Sequence, residues 1–589
     1  MSAAMEPLQR KTTVTVVPET QASQDIPPED GKDGRSDLAK TLSKTAMAEA
    51  IVRIRTTPFD PEKDVPSSVA SPASTLFLPA EEGPEPAAET GPTATSMPAL
   101  SVQRQLAITG CIIMSSFVQY MSNFLTLGAG YWFADKLVGD ASPAGSIWMV
   151  SAYSLTQSSV VLIGGRLGTI YGHQRLLLAG LALMTIMSLA NGFCTHYIAF
   201  VIVRAFTGLG GGLLMPNAVA LIAVTVPPGR NRNISMGFFG AAAPVGGWIG
   251  GLVAGLFIRY STWPWLFYFM AIVTFAVFSA LVLLLPKNEE IFDEGGKIDY
   301  IGAVLGLGGL AVFNIVWTQA PSVGWQQASE IVLLILSVAL FAGFILWEHR
   351  FASDPIMPLS IFRAPTFSAL ICVNLLTYMS FGISLWYLIA WQQLIRGLSV
   401  LDFVVHWLPF CLSALAAVGI AAFLIPRLAA QYIMAIGIVA VMASNLLLAT
   451  MPVRQSYWAQ TFVGTLLSGV CPDFVYVAAQ IIASNSVSRH QQGLAGSLIG
   501  TLNLYGNSLG LGPAGTIQSQ VAKHSGDLAS YRAALYFGVG LAAIALVVDL
   551  AYVRMPRDRR EGWSDSDKEV LRDAAAAAAA SAPASDTRV

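Results

Sequence analysis

Four ionisable side chains, Arg204, His406, Asp473 and Asp549, stand in stretches otherwise apolar enough to sit in lipid. A charge at the bilayer centre costs about 3 kcal/mol on insertion scales, so each needs a partner, a water-filled cavity or a function. Arg204 lies about one turn inside its stretch. It could hold a water or a carboxylate in a cavity, or make a structural hydrogen bond between helices. Asp473 follows Pro472, with Tyr476 and Gln480 at i+3 and i+7 on the same helix face. Away from water the neutral acid is favoured, a form that can load and release a proton. Alternatively Pro472 breaks the helix and Asp473 caps the freed amides. Both readings stand at this point. Asp549 reads as an interfacial anchor and His406 as a packed residue.

Uncharged polar residues recur at helical spacing in the same kind of segment. Ser115, Gln119, Ser122 and Thr126 follow one another at i, i+4, i+7 and i+11, with Asn123 alongside. Asn374 with Tyr378, and Asn503 with Asn507, are pairs one turn apart. Trp386, Trp391 and Gln393 add an aromatic, hydrogen-bonding surface, although tryptophan near a span end also serves as an interfacial belt. Together these residues predict a cavity with several walls, suited to a large, partly apolar solute. The six histidines are scattered without metal-ligand spacing, and neither H-E-x-x-H nor a G-K-[ST] phosphate loop occurs. The expectation is therefore no enzyme, no metal and no cofactor. Cys111, Cys194, Cys372, Cys411 and Cys471 fall in or beside apolar stretches and read as packing residues without disulfides.

Those side chains must be carried by membrane helices. Residues are 54% hydrophobic and only 12% charged, with mean hydropathy +0.58, which excludes an ordinary soluble domain. The stretch 266–285 carries no charge, and about 20 such residues cross a hydrocarbon core of about 30 Å. Comparable segments lie near 107–131, 145–164, 175–193, 197–221, 234–258, 264–285, 299–318, 329–347, 366–391, 403–425, 431–450, 457–484, 493–518 and 531–553. The reading is an all-α polytopic protein of about fourteen spans, with both termini on one side. Alternate loops hold Arg166, Arg175, Arg230, Arg232, Lys287, Lys297, Arg350, Arg363, Arg427 and Arg489, and Arg554, Arg557, Arg559 and Arg560 follow the last span. The positive-inside rule makes that side cytosolic. The plasma membrane is the expected location, with a vacuolar or other endomembrane as the alternative. The first apolar segment begins near Leu106, too late for a cleaved secretory signal. A net charge of -2 gives no reason for a nucleic-acid partner. The bilayer, a small-molecule substrate and protons are the expected partners of a monomer.

Several motifs narrow the reading. Gly165, Arg166, Gly168, Thr169, Gly172 and Arg175 form a basic, glycine-bearing connection between two apolar stretches. The pattern resembles the loop between the second and third helices of major facilitator superfamily transporters, with Thr169 where that family usually has Asp. Arg204 to Gly212, and the run Gly237, Gly240, Ala243, Pro244, Gly246, Gly247, Gly250 and Gly251, resemble elements of its drug:proton antiporters. Gly247, Gly251 and Gly255 repeat every fourth residue, leaving a bare face for close helix packing, and Pro244 bends the helix beside it. The segment from Glu348 to Phe367, with Pro355, Pro358 and Arg363, resembles the connection in fourteen-helix members. Pro472-Asp473-Phe474, with Ser484-Asn485 and 492–498, is similar to fungal transporters of the aminotriazole-resistance type. Many drug:proton antiporters have an Asp near the position of Ser122.

The resemblance implies two six-helix bundles, 101–286 and 366–555, separated at 287–365 by a linker with two extra helices. A disordered arm, 1–100, and a low-complexity tail, 556–589, flank them. It also implies export of drugs, toxic solutes, secondary metabolites or glycolipids by proton antiport, for which Asp473, on the reading of its own chemistry, and Arg204 are the candidate coupling residues. An uncoupled facilitator and a non-transporting receptor remain the alternatives.

Overall fold

The structure is a computed structural model, which describes residues 101–139, 146–226, 230–286, 298–352, 357, 359–364, 366–425, 427–487 and 492–555. The arm, the tail, Lys287, Lys297, Pro355, Pro358 and Arg489 lie outside these residues. Helices α1 (Val102–Val138), α2 (Trp148–Tyr171), α3 (His173–Phe193), α4 (Tyr197–Thr225), α5 (Arg230–Tyr260) and α6 (Trp263–Leu284) come first. The pair α7 (Tyr300–Val323) and α8 (Ala328–Arg350) follows. The rest is α9 (Phe367–Ala390), which runs on as a π-helical turn (Trp391–Ile395), then α10 (Val400–His406), α11 (Leu408–Leu424), α12 (Ala430–Thr450), α13 (Gln460–Ser486), α14 (Gln492–Leu509) and α15 (Leu511–Tyr552).

Two apolar cores organise these rods. One is built mainly from α1, α3, α4 and α6, around Phe133, Phe200 and Phe267. The other joins α9 to α15, and takes Leu127 and Tyr131 of α1 and Val150 of α2 into its margin. The pair α7 and α8 is attached through α7. Tyr505 Oη donates to Leu310 O at 3.0 Å, Ser508 Oγ donates to Asn314 Oδ1 at 2.9 Å, and Trp325 Nε1 donates to Thr516 Oγ1 at 3.2 Å.

Twelve stretches among the described residues are long and apolar enough to cross a membrane, where the sequence suggests about fourteen. Two differences account for this. Helix α2 is 24 residues long, but its four serines and Gln157 make it too polar to count. Residues Gln492–Tyr552 count once although the chain breaks within them: Gly526 has φ 76° and ψ 173°, outside any helix, and separates two rods within α15.

The connection expected as a loop over 165–175 is far tighter. Helix α2 runs to Tyr171 and α3 starts at His173, so Gly172 alone makes the turn. Its φ of 101° lies in the region open to glycine and strained for other residues, which explains why the helices reverse there.

Candidate functional site

Arg204 is the hub of the first helices. It is buried, and its guanidinium reaches α1: Nη1 donates to Ser122 Oγ at 3.1 Å, and Nη2 to Ser122 O at 2.7 Å and Thr126 Oγ1 at 3.0 Å. The ring of Tyr153 in α2 lies 4.8 Å from its Cζ, a cation–π contact. Tyr153 Oη in turn donates to Gln119 O at 3.3 Å. The polar stripe of α1 thus turns towards α2 and α4 and grips the arginine. Gln119 lies in this interior, fully buried, with neither side-chain polar atom hydrogen-bonded. Asn123, one residue further round the helix, is half-buried.

Asp473 belongs to the other set of helices. Helix α13 runs through Pro472 unbroken, and no backbone amide among the described residues donates to the Asp473 carboxylate, so the capping arrangement is not formed. The carbonyl of Pro472 accepts instead from Tyr378 Oη, at 2.9 Å. Tyr120 of α1, Tyr378 of α9 and Tyr476 of α13 form one electrostatic neighbourhood, and Tyr120 and Tyr378 feel the Asp473 charge. Gln480, one turn beyond Tyr476, donates through Nε2 to Gly496 O of α14 at 3.1 Å. Asn374 Nδ2 donates to Asn503 Oδ1 at 2.8 Å, joining α9 to α14, while Asn507 Oδ1 is buried without a partner. A carboxylate within electrostatic reach of the Tyr120 and Tyr378 phenols can accept hydrogen bonds when ionised and donate one when protonated.

Trp386 and Gln393 sit where the two sets of helices meet. Trp386 is buried and stacks on Tyr131 of α1, with ring centroids 4.5 Å apart. Gln393 Nε2 donates to Gly128 O of α1 at 2.6 Å. Beside them the glycine face of α5 meets α10. Trp248 Nε1 donates to Val404 O at 3.0 Å, a Cβ on Gly251 would lie 3.0 Å from Val404 Cγ2, and one on Gly255 would lie 2.8 Å from Leu401 Cα. Phe124 and Trp407 add a ring contact at 5.4 Å. Gly247 packs on Phe124, whereas Gly240 has open space around it, so its lack of a side chain serves no close approach here. Trp386 and Gln393 therefore pack at the junction between the two sets of helices, a contact that closes this end like a seal, and Trp386 is buried within it.

Comparison with known proteins decides what kind of molecule carries these groups. The profile of the Major Facilitator Superfamily matches residues 112–510 and 370–585. The chain belongs to the major facilitator superfamily. It is 34% identical to the low affinity ammonium transporter of Saccharomyces cerevisiae over 69% of this chain and 80% of that protein. It is 34% identical to the aminotriazole resistance protein of the same yeast, over 69% and 76%. To the efflux pump terJ of Aspergillus terreus it is 33% identical, over 69% and 79%. The solved structure of a POT family transporter in complex with 5-aminolevulinic acid shares the fold, with TM-score 0.57 and 13% identity over 76% of this chain and 96% of that one. The chain is thus a superfamily transporter of the fungal drug-resistance-like group, an integral multi-pass membrane protein and not an enzyme.

The superfamily's helix 2–3 motif has a specific local form here. His173 Nδ1 and Asn217 Oδ1 are 2.7 Å apart, and Asn217 Nδ2 donates to Gly164 O at 3.0 Å, which ties the turn to α4. A Cβ on Gly168 would collide with Asn217 and His173. Thr169, in the place of the family's Asp, donates to Arg166 O at 2.8 Å and stays local. Arg175 Nη1 donates to Tyr171 O at 3.5 Å. Gly165 faces Pro216 of α4 and, at 3.8 Å from a Cβ built on it, Ser497 of α14, so this motif too lies at a contact between the two sets of helices.

Sequence reasoning missed Tyr120, Tyr153 and Asn217. Tyr120 lies off the polar stripe and reads as lipid-facing, and Asn217 is a single amide after a proline. Asp549 corrects an expectation outright. It is no interfacial anchor: it is fully buried, and neither carboxylate oxygen has a hydrogen-bond partner. His406 is packed as expected, stacked on Tyr457 at 4.2 Å.

Proposed function

We propose that this transporter exports amphiphilic organic compounds in exchange for protons, with Asp473 as the proton-carrying group. The observation that carries the reading is the Asp473 neighbourhood, where a carboxylate of α13 lies within electrostatic reach of Tyr120 from the first helices and Tyr378 from the last. Ionised, the carboxylate accepts from phenols and draws Tyr120 towards α13; protonated, it loses that acceptor strength. Proton binding thereby changes the attraction between the two sets of helices, as alternating access requires. Phenol rings interleaved with amides suit a solute with apolar bulk and a few polar groups. Two of the relatives are an aminotriazole resistance protein and an efflux pump, which agrees with export.

On this reading the bundles are 101–286 and 366–555, with 287–365 supplying the extra pair. The basic connections and both termini lie in the cytosol, the plasma membrane is the location, and one chain is the working unit. The turn at Gly172 then marks the cytosolic end, and the seal around Trp386 the outer end. A second reading, an uncoupled facilitator, draws on Arg204, whose partners on α1 are all uncharged, and on the ammonium transporter among the relatives.

Inside-out vesicles separate the two. With an acid lumen, protons leaving the vesicle move as they would on entering a cell, so an exporter drives substrate into the lumen and a protonophore stops it. Uptake that ignores the gradient and ends at equal concentrations would overturn antiport in favour of the facilitator.

A further inference from the structure

At the same end as the seal, but on the far side of α9, two arginines share one pair of neighbours. Arg396 follows the π-helical turn, and its Nη1 donates to Thr461 Oγ1 at 3.1 Å. Thr461 Oγ1 donates to Met451 Sδ at 2.9 Å, and Arg532 Nη2 donates to Met451 O at 3.0 Å. The Arg532 guanidinium also lies 5.9 Å from the centroid of the Trp391 ring. The two cations are thus anchored on Met451 and Thr461, residues that are themselves fully buried.

These anchors use only part of the donor capacity. Arg396 Nε and Nη2 and Arg532 Nε are buried without an acceptor. So are Trp391 Nε1 and Gln392 Nε2, on side chains with 0% and 1% exposure. Gln392 Oε1 is equally unpartnered and is a neutral acceptor at best. No carboxylate among the described residues hydrogen-bonds either guanidinium. The nearby Asp402 is held by Ser399 Oγ at 2.7 Å. Burial holds the Arg396 guanidinium below its ordinary range. Water can satisfy an idle N–H, but it does not neutralise two positive charges. Arginine forks with free Nε and Nη groups match the paired oxygens of phosphate or carboxylate.

We infer that Arg396 and Arg532, with Trp391 Nε1 beside them, form a binding site for an anionic oxygen group, a phosphate above all, at the rim of the last helices. Both arginines are only half-buried as residues, so a side-chain rotation is enough to turn their buried donors towards an anion arriving from outside. The phosphate could belong to an anionic lipid headgroup of the adjoining leaflet or to a free ion, and the chemistry at the arginines is the same. The inference is independent of proton coupling through Asp473.

The test uses the full chain in nanodiscs of phosphatidylcholine alone, or with one fifth of the lipid replaced by phosphatidylglycerol. Thermal unfolding midpoints are read in each, with and without added inorganic phosphate. Ligand binding to the folded state raises the midpoint with concentration. The expected result is a saturable rise with the anionic lipid, with phosphate, or with both, and a loss of at least tenfold in apparent affinity in Arg396→Gln and in Arg532→Gln. A rise with phosphatidylglycerol alone identifies a lipid site, and a rise with phosphate alone identifies a free-anion site. If a glutamine variant does not fold, Arg396→Lys, which keeps the charge but not the fork, is expected to bind more weakly than the parent. No rise with either anion, or the same rise in parent and variants, overturns the proposal.

Discussion

Gly255 is the most sensitive point of the seal. A methyl added there would lie 2.8 Å from Leu401 Cα and 3.0 Å from Leu401 N, both backbone atoms that no rotamer change can remove. Ordinary carbon contacts are about 3.5 to 4.0 Å, so α5 and α10 must part by roughly 1 Å. Overpacking of this kind costs about 1 to 3 kcal/mol. In a conformer with the seal open the contact is absent and the cost vanishes. Gly255→Ala should therefore lower the ratio of sealed to open molecules by about 5- to 150-fold. Val400, which is 6% exposed and packs against the first core, reports the state of the seal. In a background without the five native cysteines, Val400→Cys is treated with a membrane-impermeant maleimide, alone and with Gly255→Ala. Labelling should speed up at least about fivefold in the double variant, the lower limit of that range. Gly240→Ala is the control, because a methyl there meets nothing within 4 Å. Equal labelling in the Gly255 and Gly240 variants would refute the argument that backbone contact at α10 sets the seal.

Three further outcomes follow from the buried polar groups. Arg204→Lys replaces a planar fork by a point charge, and losing one of its charge-assisted bonds costs about 1.5 to 3 kcal/mol; export should fall at least about tenfold with membrane abundance unchanged, and normal flux would show that the contacts to Ser122 and Thr126 are dispensable. Asp473→Asn keeps the shape but cannot bind and release a proton, so gradient-driven uptake in vesicles should be lost while substrate still equilibrates. Uptake that still follows the gradient would move the coupling role elsewhere. Asp549→Asn replaces a buried carboxyl without partners by a neutral side chain of the same size, so its unfolding midpoint should be no lower than that of the parent with flux intact, whereas a clear loss of stability would mean that the carboxylate has a partner.

The fold was legible because lipid imposes one rule on every span: apolar residues over about 30 Å with internal backbone bonding. Where that rule slackens, the reading failed. Helix α2 hides from it because its serines face the interior and not the lipid. The turn at Gly172 was read as a loop because arginine and glycine signal exposure, while the tie from His173 to Asn217 joins residues 44 apart in sequence. Asp549 looked interfacial by its position near the end of α15. The chain beyond it folds across the starts of α9 and α12, with Thr366 Oγ1 donating to Arg554 O at 3.2 Å and Met555 N donating to Gln431 Oε1 at 3.1 Å, so the end of α15 is tied to other helices. Composition marks a polar residue as costly in lipid. It does not say which distant helix relieves the cost.

Helix α1 connects the parts that matter. Tyr120 lies in the Asp473 neighbourhood, Ser122 and Thr126 hold Arg204, Gly128 accepts from Gln393, and Tyr131 stacks on Trp386. At 1.5 Å per residue these contacts span about 16 Å of one helix. Arg204 fixes the middle of that span through three hydrogen bonds, so a pull on Tyr120 from Asp473 acts on one side of a pivot and the seal lies on the other. The two buried charges do not meet, and on the proposed coupling they need not. In that proposal Arg204 keeps α1 registered on the first helices while the protonation state of Asp473 changes how strongly α1 is drawn to the last. A proton then influences the seal through the position of one rigid helix, and the uncharged partners of Arg204 suit this role, because a pivot that itself lost or gained charge would release the helix it must hold.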